Sequence, residues 1–274
     1  MELITEKLLF IALFIFIIHS IETLAYAVRL SGARVKMIAS ALSLFNIMVI
    51  FSRMANMMQQ PFTGSLIDTV DSVPKETALE IAETQFRILI GASTIGTAFG
   101  IILLPTFIAL FSRAIIHLSE EKGSVPSLMK RIFSLQYIKR GVTHFSLPKF
   151  SYLRETKVKD IPIRLFFVNM IITAIYTIGV FAALYASLLA PERGTTAIMA
   201  SGLINGVATI LLVVFIDPKL SVIADDVVNG RGSYNKLKSM SLMMVTSRLL
   251  GTLLAQVFFI WGAEYIAWFT KFIA

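Results

Sequence analysis

The feature that most constrains this chain is the length of its apolar runs. Six of them, at about 8–28, 37–57, 87–110, 165–190, 196–216 and 240–268, are roughly 20 residues or longer, the length a helix needs to cross about 30 Å of hydrocarbon. A run in hydrocarbon must satisfy its own backbone hydrogen bonds, and a helix does so within a single segment. With 56% of 274 residues hydrophobic, 15% charged and a mean hydropathy of +0.78, the chain reads as an all-α integral membrane protein with about six transmembrane helices. Ala25-Tyr26-Ala27 has the look of a signal-peptide cleavage site, but the leader carries Glu2, Glu6 and Lys7 and Glu22 precedes the cut, so this run reads as the first span.

Charge inside such runs needs a reason. The stretch from Ile18 to Arg34 carries His19, Glu22, Tyr26 and Arg29 at spacings of three and four, on one face of a helix. Facing lipid, each central charge costs roughly 2.5–3.5 kcal/mol on insertion scales, so the face is expected to be internal, polar and functional. Other intramembrane polar groups are Asn46 and Arg53 on the second span, Arg87 at the mouth of the third, Asn169 on the fourth and Asn205 on the fifth. The sixth adds Arg248, Thr252 and Gln256 at spacing four, with Glu264 near its end. A guanidinium keeps its charge and forks onto phosphate oxygens, so Arg53 and Arg248 are the natural anion hooks. The structural alternatives are arginines that snorkel to an interface and asparagines that bridge helices.

Read in order, Pro61 is expected to end the second span. An acidic segment follows, with a helix from Asp68 to Glu83 leading into the third span. There Gly96 and Gly100 allow another helix close, and Pro105 invites a kink. A basic loop holds eleven Lys and Arg between Arg113 and Arg164. Its Leu128, Met129, Ile132, Phe133, Leu135 and Ile138, interleaved with Lys130, Arg131, Lys139 and Arg140, suit either a helix lying on an anionic membrane or a solvated loop.

The net charge of +8 sets topology rather than pointing to nucleic acid. Links one, three and five hold 18 Lys and Arg and the opposite side four, which places the basic loop in the cytoplasm and both termini outside. The halves also echo each other. Tyr26-Ala27, Arg34 and Asn46 match Tyr185-Ala186, Arg193 and Asn205; Pro61 and Asp68 match Pro218 and Asp225; Gly96-Thr97 matches Gly251-Thr252. Three spans per half would make this a 3+3 inverted repeat, a recurrent plan for alternating-access transporters. The expected division is a first three-helix half over 1–116, the basic cytoplasmic loop over 117–162 and a second half over 163–274.

Catalytic signatures are absent from the sequence. It has no phosphate-cradling glycine loop, no His-Glu-x-x-His helix, no Gly-x-Ser-x-Gly elbow and no cysteine, so no enzyme, cofactor, metal or ATP hydrolysis is expected. A small-solute or ion transporter, a non-transporting scaffold and an intramembrane diphosphatase stay open on these residues.

Several longer strings resemble the Amj family of bacterial lipid II flippases. They are His19-Ser20-Ile21-Glu22-Thr23-Leu24-Ala25-Tyr26-Ala27, Arg29-Leu30-Ser31-Gly32-Ala33-Arg34, Ile38 to Asn46, Gln59-Gln60-Pro61-Phe62-Thr63-Gly64, Leu189 to Arg193, Met199 to Gly206 and Gly251 to Gln256. The likeness thins over about 117–160. It implies a multi-pass protein of the bacterial cytoplasmic membrane that moves lipid II, the undecaprenyl-diphosphate-linked peptidoglycan precursor, from the inner to the outer leaflet, in a family alternative to the MurJ flippases. No residue pattern comes with it, so the site is inferred physically. Arg53 and Arg248 are expected to hold the diphosphate, with Arg29 and Arg34 at the cytoplasmic entrance, while Asn46, Asn205 and Gln256 meet the sugars. His19 and Glu22 are the coupling pair, unless membrane potential alone drives transfer. Partners are lipid II and membrane lipids, and either small-residue stripe, Gly96 to Gly100 or Gly202 to Gly206, could pack within the chain or across a homodimer.

Overall fold

The computed structural model describes residues 3–70, 72–121 and 162–273, and expectations for 122–161, the interfacial helix among them, lie outside the described residues. The chain forms α1 (Glu6–Val35), α2 (Ile38–Val70), α3 (Lys75–Glu120), α4 (Ile163–Leu189), α5 (Gly194–Leu211), α6 (Asp217–Val228) and α7 (Tyr234–Phe269). A π-helical turn, Leu212–Ile216, joins α5 to α6, so together these make six candidate membrane spans.

Local chemistry sets the ends of these helices. The Thr5 hydroxyl accepts from the Leu8 N–H at 3.2 Å and starts α1. Lys36, left-handed at φ 59°, returns its N–H to Gly32 and ends it, so α2 begins two residues later.

Three boundaries differ from those expected. Pro61 lies inside α2 rather than ending it. Its fixed φ is helical, so a proline can lie inside a helix at the loss of one backbone hydrogen bond, and α2 runs on through it. Asp68 therefore belongs to α2, and α3 begins only at Lys75, behind Pro74. Asp217, read as the start of a link, instead opens α6 directly from the π-helical turn, with Pro218 in the first turn of α6.

The packing of the two halves corresponds. In the first, α1 lies against α2 and α3; in the second, α4 lies against α5 and α7. Small residues bring the long helices together. A Cβ on Gly96 would stand 2.9 Å from the Phe16 Cα, and one on Gly251 would stand 2.6 Å from the Met170 carbonyl oxygen. Polar side chains lock the same seams: the Ser20 hydroxyl donates to the Gly96 carbonyl at 3.0 Å, and the Asn169 amide donates to Met244 O at 3.1 Å and Ser247 Oγ at 2.7 Å. Gly96 and Gly100 thus pack within the chain, whereas Gly202 and Gly206 have open space around them.

One end of the bundle is closed by an apolar core of Leu8, Ile11, Phe86, Leu89, Phe181, Tyr185 and Phe259. The Phe86 ring stacks on Phe181 at 5.7 Å and meets Phe259 edge-on at 6.0 Å. The helix α5 is held differently, since only Ala197 and Ala208 of it are buried. Its outer side chains, among them Met199, Leu203 and Ile210, are exposed in a way suited to lipid.

Candidate functional site

Away from the closed end the bundle opens into a cavity of about 410 Å³. The polar face of α1 supplies Glu22, Tyr26 and Arg29, α2 supplies Asn46 and Arg53, and α7 supplies Arg248. Thr173 and Tyr176 of α4, Thr209 of α5 and Asp217 complete the polar lining. The face predicted from the spacing of His19, Glu22, Tyr26 and Arg29 is therefore internal, and all four are buried or half-buried.

The charges are arranged in pairs. Arg248 donates through Nη2 to Glu22 Oε2, and the other Glu22 oxygen accepts from Ser52 Oγ at 2.8 Å and Tyr176 Oη at 3.2 Å. Arg29 donates to Asp217 Oδ1 at 2.7 Å and stacks over the Phe45 ring at 4.2 Å. Both buried guanidiniums keep an Nε–H with no partner among the described residues. Arg53 is exposed and makes no ion pair among the described residues. Three arginines and two carboxylates leave the cavity with a formal surplus of one positive charge. The site can thus offer a partner anion one free guanidinium at once and two more if their carboxylates move.

The site residues expected from the sequence fall into four places. Arg53, Arg248, Arg29, Asn46 and Glu22 come together in the cavity. His19 and Asn205 sit behind Tyr176, around a space of about 30 Å³ shared with Asn56, Gln59 and Thr177. The His19 Nδ1 and Asn205 Oδ1 atoms there are buried with no partner among the described residues. Gly179 makes room for Asn205, whose Cγ would be 3.1 Å from a Cβ at that position. Arg34 is exposed in the last turn of α1, outside the cavity lining. Gln256 is likewise elsewhere, clamping α7 to α3: its amide donates to the Arg87 carbonyl at 2.9 Å, and Arg87 Nη1 donates to the Gln256 carbonyl at 2.9 Å.

Sequence reasoning missed Tyr176, Ser52 and Asp217. The first two are ordinary residues of apolar runs and become visible only through the carboxylate they meet. Asp217 did carry a signal, since an acid at the end of an apolar run followed by proline opens a helix as readily as a loop.

The cavity opens between α2 and α5. Ile50 and Arg53 on one helix and Val213 beyond the other line it and are all exposed. Each of these two helices packs on its own half's first helix, so neither closes the gap.

Residues 14–270 match the family model described as Amj, alternate to MurJ. The chain is 62% identical over 271 residues to the protein named lipid II flippase Amj of Bacillus subtilis (strain 168), with 99% of each chain covered. No solved structure matches. A family match across nearly all six spans, and a relative of this identity over its full length, establish that the chain belongs to the Amj family.

Proposed function

We propose that this chain is a carrier, not an enzyme, that moves lipid II from the inner to the outer leaflet of the bacterial cytoplasmic membrane by alternating access and without ATP. The cargo comes from the name of the Bacillus subtilis relative. The observation that carries the reading on this chain is the cluster of Arg29, Arg53 and Arg248 around one cavity within the spans. A diphosphate cannot cross hydrocarbon unaided, and guanidiniums are its strongest side-chain partners. Arg53 makes the first contact, Arg248 follows, Asn46 meets the sugar, and Arg29, still paired to Asp217, adds its charge at the entrance. Arg34 draws anionic headgroups to the rim. The gap between α2 and α5 passes the lipid tail.

The matched packing of α1–α3 and α4–α7 supports the reading as an inverted repeat, in which three crossings per half reverse the second half's orientation. With both termini outside, the end of α1 bearing Arg29 and Arg34 faces the cytoplasm, and the phenylalanine cluster seals the outer side. Outward transfer of negative charge gains about 2.3 kcal/mol per charge per 100 mV from an inside-negative potential.

The test is genetic. Cells stripped of their own lipid II flippases regain export when this chain is expressed, whereas Arg53→Ala protein at the same membrane level does not restore it. Failure of the unaltered chain refutes the carrier assignment; rescue by Arg53→Ala refutes only the anion role of Arg53.

A further inference from the structure

We infer that binding of the lipid-linked diphosphate takes up one proton from water onto Glu22, so that a proton travels with each lipid; this rests on the carrier reading above. Arg248 is committed to Glu22, and its fork can reach a phosphate only if that carboxylate lets go. The side chain of Glu22 is only 15% exposed. Two neutral donors remain to it, Ser52 Oγ and Tyr176 Oη, and both bond the same oxygen, Oε1. A carboxylate so buried and deprived of its cation takes a proton rather than stay charged.

The surroundings select Glu22 for that proton. The charged and titratable groups facing it are His19 and Tyr26 on α1, Arg53 on α2, Tyr176 on α4 and Arg248 on α7, with Asp217 beyond Arg29. A proton on His19 would set another cation beside Arg248. Asp217 keeps its own arginine and is the more exposed acid. On Glu22 the proton removes an unpaired anion, and Oε1 goes on accepting from Ser52 and Tyr176.

The exchange balances. A buffer acid or hydronium loses a proton, an O–H forms on Glu22 Oε2, and the Arg248–Glu22 ion pair is replaced by an Arg248–phosphate pair. The surplus of three arginines over one remaining carboxylate rises to two. That equals the charge of a diphosphate esterified at both ends, which keeps one acidic oxygen on each phosphorus. Transfer then carries one negative charge fewer than the lipid alone.

The test uses the full chain in nanodiscs, titrated with lipid II by calorimetry at one pH in two buffers of different ionisation enthalpy. The expected result is uptake of about one proton per lipid bound and an affinity that falls about tenfold per pH unit on the alkaline limb. Glu22→Gln abolishes both the uptake and the pH dependence, while His19→Gln keeps them. Binding by the unaltered chain with no proton uptake overturns the inference, as does uptake that survives Glu22→Gln or vanishes with His19→Gln. Absence of lipid II binding at every pH overturns the carrier reading instead, and this inference with it.

Discussion

The Arg248–Glu22 pair makes a sharp quantitative prediction. Its two side chains are 6% and 15% exposed and come from helices far apart in the chain, α7 and α1. Removing one partner from a buried pair strands the other charge, at a typical cost of about 3–5 kcal/mol. Here the lower end applies, because Glu22 left without Arg248 takes a proton while Ser52 and Tyr176 still bond it, and Arg248 left without Glu22 lines the cavity rather than a closed core. Arg248→Ala and Glu22→Ala are therefore each expected to lose about 3 kcal/mol. Replacing both, as Glu22→Leu with Arg248→Met, removes the stranded charge and should return to within about 1 kcal/mol of the parent. The coupling energy, about 5 kcal/mol, is measured by reversible unfolding in mixed micelles of the four proteins of the cycle. A double variant whose loss equals the sum of the single losses, to within about 0.5 kcal/mol, would refute the claim that the two groups stabilise each other. The swap Glu22→Arg with Arg248→Glu restores the pair with its ends exchanged, so it should fold but fail to transfer lipid. That outcome separates the structural role of the pair from the transport role of a cation on α7.

Other outcomes follow from the packing and the opening. Gly96→Val and Gly251→Val each force a side chain into a neighbouring backbone and should cost about 1–3 kcal/mol in the same unfolding assay, while Gly202→Val, with nothing within 4 Å, should be silent. Asp217→Asn keeps the shape at the end of the π-helical turn but removes the charge that neutralises Arg29, so anionic lipid should bind more tightly and be released more slowly in a single-turnover transfer assay. Because the chain has no cysteine, Ile50→Cys with Val213→Cys offers a clean cross-link across the opening. A bridging reagent should stop lipid transfer and a reductant should restore it; undiminished transfer in the linked protein would place the route elsewhere.

The sequence alone determined the class of structure. Six apolar runs of membrane-spanning length leave a polypeptide little choice in hydrocarbon but six helices, and the three- and four-residue spacing of His19, Glu22, Tyr26 and Arg29 assigns them one inward face. The family was legible because long strings around those positions resemble it, and its model matches residues 14–270. Helix ends were less legible, because the fixed φ of proline fits a helix as well as a turn, and both Pro61 and Pro218 lie within helices. Only the tertiary structure decided which polar groups share a space. Arg248, Thr252 and Gln256 form one stripe along a helix, yet Arg248 turns to Glu22 while Gln256 clamps Arg87 two turns away. Asn46 and Asn205 are matched by the sequence echo between 26–46 and 185–205, yet one lines the charged cavity and the other the small space behind Tyr176. Periodicity along one helix says which side a residue faces; what it meets there depends on the neighbour packed against that side, and in this chain the neighbours of Glu22 on α4 and α7 lie 154 and 226 residues away.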